Sequence, residues 1–152
     1  MAAQIPMLKI KKLVSDAVVP EAKTEGAIGL DLAAVSNYSI LPTSIAGRAV
    51  MVRTGIAIEL PKGHYATMHL RSSIGKNTKL RLANQTGIID NDYRGEIIIL
   101  LENVGRYAQS ISKGDRIAQL IIHRASPFKV EVTEDLSETV RGADGFGSTG
   151  VN

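Results

Sequence analysis

The stretch GIIDNDYRGE, residues 87–96, sets Asp90, Asp92, Tyr93, Arg94 and Glu96 beside strongly apolar neighbours. Asp90 follows Gly87, Ile88 and Ile89, at the end of a strand expected to be largely buried. A desolvated carboxylate needs a partner or a task, and burial raises its proton affinity towards that of a useful general base. Asp92 and Arg94 also suit an ordinary turn, and Tyr93 suits a lid over local core.

Three further stretches carry groups of interest. LRSSIGKN (70–77) offers Arg71, Ser72 and Ser73 just after a strand pattern. Turn N–H groups, hydroxyls and a guanidinium together make a phosphate cradle, although the same residues serve a polar strand-to-turn connection. The P-loop spacing is absent. KGDRIAQLII (113–122) puts Gln119 inside an apolar strand, where a buried amide must be hydrogen-bonded to the fold or to a ligand. GAIGLDLAA (26–34) sets Asp31 between leucines, where an acid more often anchors backbone or an arginine than does chemistry. His64, His69 and His123 are not spaced as metal ligands, and no GxSxG nucleophile motif occurs. The chain has no cysteine, which excludes disulfides, thiolate zinc sites and cysteine nucleophiles.

The elements that must position these groups read as strands. Apolar or alternating runs at 8–14, 28–34, 38–41, 49–60, 65–70, 87–90, 96–104, 107–111, 116–124 and 128–134 alternate with turn signals such as PKGH, NDYRG and SKGD. Turns about every ten residues indicate an all-β sandwich or barrel. No long window carries a helical stripe, and at most one short helix is expected, near SSIGKNTKL. GIID and EIIILL flank NDYRG, which reads as a β-hairpin with residues 87–90 facing 96–98 across a narrow gap.

At 152 residues the chain is most simply one domain, and its 44% hydrophobic and 22% charged content is ordinary for a soluble globular protein. The start, MAAQIPMLKIKK, predicts no secretory leader, and no apolar run predicts a membrane span; a cytoplasmic protein without a membrane partner is expected. The net charge is +3. Lys9, Lys11 and Lys12 form the basic cluster in the sequence, and no aromatic interleaves with it, so no nucleic-acid partner is expected. The last stretch, RGADGFGSTG (141–150), holds four glycines, Arg141 and one of two phenylalanines. Such a composition marks either a frayed end or a hinged working part.

In order and spacing, GAIGLDLAA, LRSSIGKN, GIIDNDYRGE, KGDRIAQLII and RGADGFGSTG resemble the five blocks of the trimeric deoxyuridine triphosphate nucleotidohydrolases, the dUTPases. The resemblance runs from about residue 26 to residue 150, and the third and fifth blocks are the most specific. It implies an all-β, jelly-roll-like β-clip subunit over 1–140 with a mobile C-terminal arm, 141–152, and a homotrimer with sites at subunit interfaces. It further implies hydrolysis of dUTP to dUMP and pyrophosphate with Mg2+, lowering dUTP and supplying dUMP for thymidylate synthesis.

Carried to this chain, the resemblance makes Asp90 the acid that activates water for attack on the α-phosphorus. Tyr93 packs under the deoxyribose, leaving no room for a 2′-OH. Asn84, with backbone groups of Gly87, Ile88, Ile89 and Ile98, reads the uracil edge. Arg71, Ser72, Ser73 and Gln119 contact phosphates. Arg141, Phe146, Gly147 and Ser148 belong to the arm, with Phe146 over the uracil ring and Arg141 on the γ-phosphate. Magnesium is held mainly by phosphates and water with no direct protein ligand, and Asp31 is a structural acid or acts behind the metal's water shell. The chain departs from the family pattern at Asp144, where glycine is usual, at Ile28 and Leu30 in the first block, and at Leu70 before Arg71.

Overall fold

The computed structural model describes residues 5–143. Ten strands form in chain order: β1 (Lys9–Lys12), β2 (Leu30–Ala33), β3 (Tyr38–Ile40), β4 (Val50–Glu59), β5 (His64–Leu70), β6 (Leu80–Leu82), β7 (Gly87–Ile89), β8 (Glu96–Asn103), β9 (Gln109–Ile111) and β10 (Arg116–Arg124). They make two four-stranded sheets, ordered β1-β4-β8-β6 and β2-β10-β5-β7, plus the pair β3-β9, all antiparallel. The all-β expectation holds.

The two sheets share one core. In β8, strict alternation turns Ile97, Ile99, Leu101 and Asn103 inward, as the two-residue period of a strand requires. These meet Val52, Ile56 and Ile58 of β4, Ala66 and Met68 of β5, and Ala118 and Leu120 of β10 in a single apolar cluster. The buried Asn103 spends both amide protons on backbone, donating to Ile40 O and Tyr107 O at 2.8 Å each. At the surface Lys9 pairs with Glu59 across the β1/β4 ladder at 2.7 Å. That hydrogen bond and the lysine's charge hold the Glu59 carboxyl below its ordinary value.

Four local expectations change. First, two short helices form, α1 (Thr43–Ala46) and α2 (Ser72–Asn77). The additional turn, α1, starts at Pro42 and is closed by Gly47 in the left-handed region, with Gly47 N–H donating to Thr43 O; a single turn is too short to show a periodic stripe. Second, LRL of β6 pairs with β8, although only three residues alternate. Third, residues 128–134 form no strand: Phe128, Val130 and Val132 are 86, 85 and 94% exposed. Alternation supplies a face, but a strand also needs a neighbour to hydrogen-bond. Fourth, β7 and β8 do not form a hairpin, because β7 pairs with β5 and β8 with β4 and β6. No helix of the described residues is long and apolar enough to cross a membrane.

A break in β4 shapes the sheet beside β8. The β4–β8 register shifts between Arg53 and Ala57, and Gly55 there has φ +69°. A Cβ on Gly55 would stand 2.6 Å from Val14 Cγ2 and 2.7 Å from Val35 Cγ1. Replacing Gly55 by alanine therefore combines left-handed strain with overpacking, and is expected to cost about 2–4 kcal/mol in chemical denaturation. An unchanged denaturation midpoint would refute that reading of the break.

Candidate active site

The chain pairs with β8 as β6, leaves it through the turn 83–86, and then pairs with β5 as β7. Gln85 takes the left-handed conformation, φ 60°, rare for a residue with a side chain. Ala83 N–H still donates to Leu100 O (3.0 Å), whereas Gln85 N–H donates back to Leu82 O (3.0 Å) and Thr86 N–H to Asn84 O (2.6 Å). Because β6 covers β8 only at Leu101–Asn103, residues 96–99 of β8 and the outer edge of β7 have no strand between them. A pocket of ≈ 270 Å³ opens in this fork.

Gly87, Ile88, Ile89 and Asp90 line one wall of the pocket and Ile97 and Ile98 the other. Asn84 and Tyr93 complete its polar part. Met51, Met68 and Leu100 supply apolar lining that motif spacing did not reveal; the signal was their in–out alternation on strands flanking the motif. A slot with apolar walls and exposed strand edges suits a flat heterocycle whose rim carries donors and acceptors.

The turn 90–95 is built from its own side chains. Asn91 Nδ2 donates to Pro61 O (2.8 Å) and His64 O (2.9 Å), fastening the turn to the β4–β5 connection. Arg94 donates to Asn91 O (2.7 Å) and Tyr93 O (3.0 Å). The Tyr93 ring folds back over Gly95, where a Cβ would come within 2.4 Å of Oη, and its hydroxyl donates to Glu96 O (3.0 Å). Glu96 is clamped in turn: Arg53 Nε donates to Oε2 at 2.9 Å and Gly55 N–H to Oε1 at 2.8 Å. Asn91 lies between two acids with nothing in its spacing to advertise it. Asp90 is exposed in the single chain, against the expected burial, because β7 ends one residue earlier and Asp90 opens the turn.

A second cleft, ≈ 590 Å³, shares no lining residue with the first. It is lined by Lys23, Asp31, Arg71, Ser72, Arg116 and Gln119, together with residues 26–29. The buried Asp31 of β2 receives Arg71 Nε at 3.0 Å and an Arg116 terminal nitrogen at 2.9 Å. Paired to both arginines, it orients them and offsets their mutual repulsion. Gln119 stands between Asp31 and His69 in the strand register. Ser73 is exposed on α2 outside the lining, and Arg116 is the cation that motif reading passed over inside KGDRIAQLII. His69 and His123 both hydrogen-bond the Thr67 hydroxyl, at 2.8 and 2.7 Å. Arg141 is exposed in the segment after β10; Phe146, Gly147, Ser148 and Asp144 lie outside the described residues.

The fold and its clefts thus define a jelly-roll-like antiparallel sandwich with an apolar-walled slot between two strand edges and a separate basic cleft. The chain belongs to the dUTPase family, whose model matches residues 15–150. It is 44% identical over 146 residues to the deoxyuridine 5'-triphosphate nucleotidohydrolase of Hydrogenobaculum sp. (strain Y04AAS1), covering 95% of this chain and 98% of the relative. The enzyme of that name from Helicobacter pylori (strain P12) is 38% identical over 145 residues, with 95% and 97% covered. The structure of Staphylococcus bacteriophage 80alpha dUTPase with dUPNHPP superimposes with a TM-score of 0.87 at 26% identity, over 95% of this chain and 99% of that one.

Because Asn91 carries the two strongest links between the turn and the β4–β5 connection, Asn91→Ala is expected to lower stability by about 1–3 kcal/mol. Thermal unfolding beside a Lys62→Ala surface control checks this; equal melting temperatures would remove Asn91 from the framework of the site.

Proposed function

We propose that this chain hydrolyses dUTP to dUMP and pyrophosphate, with Asp90 as the general base. The observation that carries this reading is the fork between β7 and β8, with Asp90 and Tyr93 at a slot walled by two free strand edges. In this reading the water oxygen attacks the α-phosphorus, Asp90 takes its proton, and the bond to the bridging β-phosphate oxygen breaks, releasing pyrophosphate. Displacements at phosphorus depend mainly on positioning and on stabilising charge at the non-bridging oxygens.

Asn84 and backbone groups of Gly87, Ile88, Ile89 and Ile98 read the uracil rim, and Tyr93 closes the sugar side against a 2′-OH. A 5-methyl group would clash in so narrow a slot, and cytosine would present the wrong donors, so rejection is built into the slot. Arg71, Ser72, Ser73 and Gln119 receive phosphates. Arg141, Phe146, Gly147 and Ser148 act from a C-terminal arm, 141–152, that closes over the ligand.

The two clefts of one chain share no residue, which supports a site completed by another copy, and we read the working form as a homotrimer with its sites at the interfaces. The described residues contain no cluster of three or more metal-ligating side chains, and Asp31 is already engaged by two arginines. In this reading magnesium would be carried by the substrate's phosphates and would supply positive charge there. Asp31 contributes by holding Arg71 and Arg116 in place behind it. The reading places the reaction in the cytoplasm, where free nucleotides are found.

Asp90→Asn is expected to lower kcat for pyrophosphate release by at least about a hundredfold, the usual worth of a positioned base, with dUMP affinity retained. Turnover near the parent rate would end the assignment of Asp90.

A further inference from the structure

A third groove, ≈ 460 Å³, lies between the start of β6 and the β8–β9 connection and shares no lining residue with either cleft above. Lys79, Arg81 and Arg106 line it, together with Tyr107, and no carboxylate does. Tyr107 is 81% exposed, and the three cations are absent from every ion pair among the described residues. Glu102 stands opposite Arg81 in the ladder but outside the groove lining.

The groove is rigidly built. Asn103, 1% exposed, holds the connection from inside: Nδ2 donates to Tyr107 O at 2.8 Å and Oδ1 accepts from Gly105 N–H at 2.9 Å. Val104 N–H donates to Lys79 O at 3.0 Å, tying the connection to the foot of β6. The backbone that presents Tyr107 is fixed before a ligand arrives, and three cations without anionic partners stand beside the ring, which suits a ligand that is both flat and anionic.

We propose that this groove binds single-stranded nucleic acid, with a base stacked on Tyr107 and neighbouring phosphates on Lys79, Arg81 and Arg106. Stacking on an aromatic combined with backbone charge neutralisation is how sequence-tolerant single-strand binders work. The single strand is favoured over duplex because a base must be unstacked to meet the ring. The contiguous lysines near the N-terminus lack an aromatic, whereas these cations come from β6 and a distant connection and meet only in the fold.

The test is fluorescence anisotropy of a labelled oligodeoxyadenylate of about ten nucleotides, with excess dUMP to hold the hydrolytic pocket. The parent should bind, with log K falling against log salt at a slope of about −2, the value for three phosphate contacts on a single strand. Lys79→Ala with Arg106→Ala should weaken binding at least about tenfold and flatten that slope. Tyr107→Ala should weaken it about tenfold while Tyr107→Phe keeps it. dUTP turnover should stay at the parent rate in all variants, which shows that the fold is intact. The proposal is overturned if the parent does not bind at low salt or if Tyr107→Ala binds like the parent. Displacement of the oligomer by pyrophosphate as effectively as by unlabelled strand, or equally tight capture of polyglutamate, would overturn it too.

Discussion

The site rests on the divergence of β7 from β8. Two strands joined by a six-residue turn, 90–95, ordinarily pair with each other, and here they join different sheets. Their separation leaves two strand edges facing one cavity, with backbone groups at fixed spacing and no ladder to consume them. Nothing in the slot itself keeps it open. The work is done by the left-handed Gln85, which peels the chain from β8, and by Asn91, which fastens the far end of the turn to the β4–β5 connection. Glu96 closes the circuit by bonding the β4 break at Gly55.

The second cleft follows a different logic. One buried carboxylate, Asp31, faces two arginines, so the ensemble keeps a positive balance while neither guanidinium is free to swing. An anion entering there meets aligned donors and does not bear the cost of ordering them. Lys23 adds a further cation to the same lining. In the proposed reaction the first cleft supplies recognition of the base and the second supplies charge for the phosphates.

Much of this was readable from residues alone, and the failures share a cause. The alternation of EIIILLEN and the apolar run RIAQLII placed β8 and β10, and Gln119 lies inside its strand as expected. Asn84, Gly87, Asp90, Tyr93 and Ile98 do gather in one pocket. What could not be read was partnership. GIID and EIIILL carry local hairpin signals, but β7 prefers β5, a choice made by sheet packing. FKVEVTE has strand alternation but pairs with no strand of this chain. Asp90 was expected to be buried because its neighbours are apolar, yet its exposure is set by the residue at which β7 stops. An arginine partner for Asp31 is among the readings its apolar neighbours allow, but not that two arrive, from β10 and the end of β5.

In the proposed reaction the base slot and the phosphate cleft, which share no lining residue in one chain, are brought together by a second copy. Subunit mixing tests this directly. Asp90→Asn and Arg71→Ala variants, each inactive alone, are unfolded together, refolded at equal concentration, and assayed for pyrophosphate release from dUTP. If each site takes Asp90 from one chain and Arg71 from its neighbour, about a quarter of the sites in randomly mixed rings regain both groups, and activity returns to roughly that fraction of the parent. Mixed rings as inactive as either variant alone would mean that both groups act from the same chain, which contradicts a site shared between copies.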